Sequence, residues 1–185
     1  MTMKKLEEKL FNQFEVQFPV DNDLTILIGN NGTGKTTLLK MLKDYYESEE
    51  KFVLYFPEQR IFNENISNSL WYLLVEDKLA KYGVDVRYLD IKQIEGEYIY
   101  SGFHQIVNFL GSIMTTEEEN VVVLIDEPER NLSIEFQEML INDLLQLPNV
   151  CKVIVASHSP FIASNHMSKM LSIGACTVRP SSLKK

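Results

Sequence analysis

The sequence predicts an α/β fold with a mainly parallel central sheet flanked by helices, and three observations carry that prediction. An apolar, β-rich run at residues 24–28 leads into a glycine-rich turn, and a helical pattern at 37–42 follows. A second run, 121–125, contains no polar residue at all, as strands covered on both faces do, and stops abruptly at Asp126-Glu127. A third apolar run, 152–156, is separated from the second by an amphipathic stretch at 134–147, so strand and helix alternate.

Taken in order, residues 14–18 alternate apolar and polar side chains, the pattern of an edge strand, and are expected to pair with the strand at 24–28. Phe11 and Phe14 precede the turn at a distance from which a ring could stack on an adenine, with core packing the more economical reading. Residues 51–56 read as another strand. Residues 68–82 read as a helix with the single tryptophan, Trp71, on its apolar side, and 106–114 as a further apolar-periodic helix. The region from about 60 to 115 is thus expected to be a small helical subdomain inserted in one domain spanning 1–185.

Composition narrows the function classes. A net charge of −8 argues against a broad nucleic-acid-binding surface on this chain alone, leaving a local patch or a partner to provide one. The basic residues of the tail, Arg179, Lys184 and Lys185, read as a solvated terminus. Cys151 and Cys176 lack metal-type spacing and lie near apolar strands, so both are expected to be buried, reduced thiols. No apolar signal core opens the sequence and no run of 18 apolar residues occurs, so no membrane span and a cytoplasmic location are expected.

The chemistry begins in the turn. Gly29-Asn30-Asn31-Gly32-Thr33-Gly34-Lys35-Thr36-Thr37 fits the phosphate-binding pattern G-x-x-x-x-G-K-[ST] at every required position. Its glycines allow backbone N–H groups from Asn30 to Thr37 to turn around phosphates, Lys35 reaches the β and γ oxygens, and the Thr36 hydroxyl ligates Mg²⁺. A nucleoside triphosphate is the implied ligand. In open α/β sheets ligands bind beyond the carboxyl ends of the strands, so Asp126 and Glu127 are expected to face those phosphates. Asp126 is the expected Mg²⁺ residue, and Glu127 the group that polarises the attacking water. The next strand ends in Ala156-Ser157-His158-Ser159-Pro160, and His158 is placed to donate to a γ-phosphate oxygen.

The succession GNNGTGKTT, VVVLIDEPE and ASHSP resembles the ATP-binding-cassette ATPases, in particular their soluble branch of chromosome-maintenance, recombination-repair and overcoming-lysogenisation-defect types. The likeness covers roughly residues 14–173. It implies ATP and Mg²⁺ as ligands, Asp126 as the metal residue, Glu127 as general base, His158 as the switch histidine, and Asn131 in a loop that crosses a dimer interface. Gln59 takes the place of the family glutamine that contacts Mg²⁺ and the attacking water, with Glu58 and Arg60 as competitors for that role. Tyr100-Ser101-Gly102-Phe103-His104-Gln105 resembles a degenerate signature sequence, in which Phe103 replaces the second glycine. Ser101 would then bind the γ-phosphate of a nucleotide held by the other protomer, at a helix N-terminus suited to anions; a plain N-cap is its other reading. The resemblance further implies a homodimer with ATP at its interface, which gates a separate effector, with nucleic acid reached through that partner. Two alternatives stay open, the nucleotide-binding subunit of a transporter and a slow or non-hydrolysing ATP switch.

Overall fold

The computed structural model describes residues 3–10, 14–58 and 102–178. Its strands are β1 (Lys4–Leu10), β2 (Phe14–Phe18), β3 (Leu24–Ile28), β4 (Val53–Phe56), β5 (Val121–Asp126), β6 (Val150–Ser157), β7 (Met170–Ser172) and β8 (Thr177–Val178). Its α-helices are α1 (Lys35–Ser48), α2 (Gly102–Met114) and α3 (Ile134–Leu145). Five strands, in the order β4-β5-β6-β3-β7, form a wholly parallel sheet. The order β1-β2-β8 makes a separate antiparallel sheet.

Two hydrophobic clusters explain why the central strands are apolar without interruption. Val121, Val123 and Ile125 of β5 pack with Val153 and Val155 of β6 and with residues of α2 and α3, such as Phe109 and Leu140. Val122 and Leu124 belong instead to the cluster containing Ile154, Ala156, Leu27 and residues of α1 such as Leu38 and Leu42. Successive side chains of a strand point to opposite faces, so a sheet covered on both sides has no position left for a polar residue. All six residues of β5 are buried. Each fully buried aliphatic side chain of this kind contributes about 1.5–3 kcal/mol relative to exposure. The first charge therefore appears where the strand leaves the layers, at Asp126.

Two expectations need correction. β2 does not pair with β3, because β6 and β7 occupy both edges of β3; β2 lies between β1 and β8 instead. Cys176 is buried as expected, but Cys151 is exposed. The register between β5 and β6 shifts there, Val121 facing Val150 and Val122 facing Lys152, so Cys151 is an extra residue and its side chain leaves the inward alternation. Its thiol donates to the Asn120 carbonyl at 3.0 Å.

Strands β1, β7 and β8 have no counterpart among the expected elements, whereas α1, α3 and β4 fall where expected. Helix α3 starts one residue after Ser133, whose hydroxyl accepts from the Phe136 N–H at 3.4 Å. It ends at Leu145, two residues short of the expected bound, although Leu147 is still buried. Phe14 packs, partly buried, against the α1-side core, and Phe11 lies outside the described residues. The helix expected at 68–82, with Trp71, also lies outside them; of the expected subdomain, 102–115 is described and 102–114 is helical. Among the described residues no helix is long and apolar enough to cross a membrane.

Candidate functional site

The turn after β3 closes on itself. Gly32 and Gly34 hold φ angles of 77° and 97°, a region in which a Cβ meets the backbone and which glycine enters freely. Gly29 is needed for space, since a Cβ there would lie 2.7 Å from Thr33 Oγ1. The Thr33 N–H and hydroxyl both donate to the Asn30 carbonyl, at 3.3 and 2.8 Å. Lys35, buried at the start of α1, donates through Nζ to the carbonyls of Gly29 at 2.9 Å and Asn30 at 3.3 Å. Its charge thus spans the turn, while Asn30, Asn31, Gly32, Thr36 and Thr37 are exposed along it. Helix α1 begins where the turn ends, adding the positive end of its dipole.

Three strand ends converge beside this turn. In the sheet register Leu27, Ala156 and Asp126 share a row, with β6 between β3 and β5. Two strand spacings, about 10 Å, separate the chains of β3 and β5. The gap is closed by side chains from both directions. Asp126 is buried at the end of β5, and the Thr36 hydroxyl at the first turn of α1 lies beside it. Burial pushes the Asp126 carboxyl above its ordinary range, Glu127 and Glu58 push the same way, and the nearby Thr36 hydroxyl and Lys35 oppose them. A cation would favour the charged form here. The pair supplies hard oxygen donors, as Mg²⁺ prefers, and Mg²⁺ commonly takes one or two protein oxygens and completes its shell with water and substrate phosphates. Among the described residues no group of three or more His, Cys, Asp or Glu side chains is placed to hold a metal ion.

Glu127 opens the next loop with φ 47°, a left-handed conformation uncommon outside glycine and asparagine. Its N–H donates to the Ala156 carbonyl at 2.8 Å and its carbonyl accepts from the Arg130 N–H at 3.3 Å, which fixes the kink. The side chain consequently lies beside His158, with Glu127 Oε1 3.4 Å from Nδ1. His158 is half exposed at the end of β6, between the phosphate-type turn and the acidic pair. An open groove of about 600 Å³ runs past it, lined in part by Glu127, Arg130, Gln137, Ile134 and Phe161. Ile134 and Phe161 are exposed hydrophobic side chains on that groove.

The structure therefore brings Lys35, Thr36, Asp126, Glu127 and His158 to one sheet edge. Asn131 lies in the loop after Glu127 with φ 64°, exposed, as an asparagine tolerates. Gln59 and Ser101 lie outside the described residues, one at each side of the segment between β4 and α2. Glu58, which competed for the role of Gln59, is ion-paired with Arg130 at 2.5 Å. Sequence reasoning missed Glu129. This buried carboxylate accepts from Ser157, His158 and Ser159, and the only sequence signal for it was an acid following Asp126-Glu127-Pro128.

Residues 20–161 match a protein-family model described as AAA domain. Among solved structures the chain is similar to cbiO1 from Clostridium perfringens, part of the ABC transporter complex cbiONQ. The TM-score is 0.42 and the identity 15%, over 78% of this chain and 71% of that one. No curated protein matches the sequence.

Proposed function

This chain belongs to the AAA domain family, with a P-loop NTPase fold around its parallel sheet, and from that premise we propose that it binds Mg-ATP and hydrolyses it, forming an ATP-dependent homodimer that gates a separate effector. One observation supports this reading above the others: Thr36 and Asp126 meet under the phosphate-type turn while Glu127 and His158 lie 3.4 Å apart at the neighbouring strand ends. Backbone N–H groups of the turn and the Lys35 ammonium bind the phosphate chain. Thr36 and Asp126, together with Gln59, would hold Mg²⁺, which when bound neutralises phosphate charge and fixes its geometry. Glu127 accepts a proton from the attacking water and orients it. His158, beside that carboxylate, faces the γ-phosphate. Placing these groups correctly, more than any covalent chemistry, lowers the barrier to phosphoryl transfer.

The dimer reading draws on Ile134 and Phe161, apolar side chains exposed on the groove beside Glu127 and His158, where a second copy would bring Ser101 to the nucleotide. Nucleic acid enters only through the effector. The test is the turnover and solution mass of Glu127→Gln with Mg-ATP and Mg-ADP, using Ser101→Arg as control. Loss of a general base lowers turnover by about 10²- to 10⁴-fold. The variant should then accumulate as a dimer with ATP only, and the control should abolish that dimer. Unchanged turnover would make this a slow nucleotide switch in which Glu127 is not the base. A monomer throughout would overturn ATP-dependent homodimerisation.

A further inference from the structure

The loop after β5 carries a second glutamate, to which the hydrolytic reading gives no work. Glu129 is only 8% exposed, and its Oε1 is a point of convergence. That oxygen accepts from Ser157 Oγ at 2.7 Å, from the His158 N–H at 2.8 Å and from the Ser159 N–H at 3.1 Å. Hydrogen bonds to an ionised carboxylate are about twice as strong as neutral ones, so this one atom clamps the whole turn that carries His158. It also lies 3.1 Å from the His158 Nδ1, while Glu127 Oε1 approaches the same nitrogen at 3.4 Å. A bare lone pair on Nδ1 with two carboxylate oxygens this near would be repelled; a proton there is attracted by both.

We propose that Glu129 is a positioning residue for His158: it holds the turn at residues 157–159 and the imidazole so that Nδ1 carries a proton toward the carboxylates and Nε2 is the nitrogen presented to substrate. Glu129 touches no reacting atom itself. It acts as the partner of a metal-bound histidine acts, by fixing the tautomer and orientation of the ring through the nitrogen that is not used. The turn has a second tether, Ser159 Oγ donating to Gln137 Oε1 at 2.6 Å and Gln137 Nε2 donating to the Leu132 carbonyl at 2.9 Å. Glu129→Gln, which keeps the shape and one acceptor oxygen, is therefore expected to fold.

The proposal rests on His158 serving the nucleotide, so its test has two arms. In the first, ATP turnover is measured for the wild type, Glu129→Gln, His158→Ala and the double variant. Glu129→Gln should lower kcat by about tenfold to a hundredfold, with KM for ATP within about twofold. The double variant should be no slower than His158→Ala. Losses that multiply, or a wild-type kcat in Glu129→Gln, would overturn the proposal. In the second arm, long-range ¹H–¹⁵N spectra follow the ring nitrogens of the three histidines, His104, His158 and His166, the His158 signals being those lost in His158→Ala. A proton on Nδ1 in the wild type that redistributes in Glu129→Gln supports the proposal, and identical His158 signals in the two overturn it. A wild type without turnover but with the expected spectra would locate the failure in the hydrolytic reading rather than in the positioning role.

Discussion

Replacing Gly102 with alanine tests whether the start of α2 is wedged against the loop that carries Glu127. A Cβ at Gly102 would sit 2.2 Å from the Asn131 carbonyl oxygen, 3.1 Å from its carbon and 3.2 Å from a Leu132 methyl. Ordinary contact begins at 3.4 Å, so helix and loop must part by about an ångström. Neither side yields freely. The loop is held by the left-handed Asn131, by the Leu132 N–H donating to the Glu129 carbonyl at 3.0 Å, and by buried Leu132. The helix is tied to it by Gln105 Nε2, which donates to the Arg130 carbonyl. Overpacking at such a site costs about 1–3 kcal/mol. A misplacement of about an ångström can cost a hundredfold in rate when it reaches a catalytic group, and Glu127 stands four residues before Asn131 in the same loop. Urea denaturation should show a lower midpoint at unchanged slope, and ATP turnover should fall at least tenfold by the same principle while ATP binding persists. Gly174→Ala is the control, since its Cβ would meet only Ser172 Oγ at 3.7 Å. A midpoint for Gly102→Ala equal to that of the control would show that the close approach does not exist.

Two further predictions follow from charge and thiol environments. Burial raises the Asp126 carboxyl, so the folded chain holds that proton at pH values where the unfolded chain has released it. Stability of the metal-free protein therefore falls as pH rises from the unfolded carboxylate value, about 3.9, through the raised folded one. Asp126→Asn should remove that fall, raise the neutral-pH Tm in EDTA, and abolish further stabilisation by Mg²⁺ with ATP; a Tm lower than wild type in EDTA would refute the argument. The exposed Cys151 should react with a disulfide reagent in the native protein, whereas Cys176, buried and with its thiol pushed up to about 12, should react only on unfolding. Counting thiols modified before and after denaturant decides this, and two fast native thiols would contradict the packing of β8 and its neighbours.

The parts legible in the sequence are those whose physics is local or repeats along the chain. The turn at Gly29 could be read because its glycines and Lys35 act on phosphates through adjacent backbone atoms, and β5 because cover on both faces removes every polar residue from Val121 to Ile125. Pairing choices were not legible. β1 escaped notice because its buried residues, Leu6 and Leu10, are four apart, a helical spacing. Leu6 faces Val16 and Leu10 faces Phe14 across the pair, and an even spacing puts both on one face of a strand as well as of a helix. A one-residue register shift against β5 exposes Cys151. Glu129 looked like one more solvated acid, since its three donors come from a turn 28 to 30 residues away that only the sheet brings near.

The seven residues from Asp126 to Leu132 link the candidate site to the elements around it. Their first residue meets Thr36 beneath the phosphate-type turn, the second lies against His158, and the fourth clamps the turn that carries His158. Their fifth, Arg130, is paired with Glu58 at the end of β4, and its carbonyl accepts from α2. The sixth, Asn131, lies against Gly102 at the start of that helix. β4 and α2 flank the segment that carries Gln59 and Ser101. A displacement of either flank thus has a short, bonded route to Glu127 and His158, and close-packed contacts transmit such displacements rather than absorb them. In the proposed dimer, a partner that engages Ser101 would therefore also act on the loop that carries Glu127, so turnover at the two proposed ATP sites is expected to be coupled.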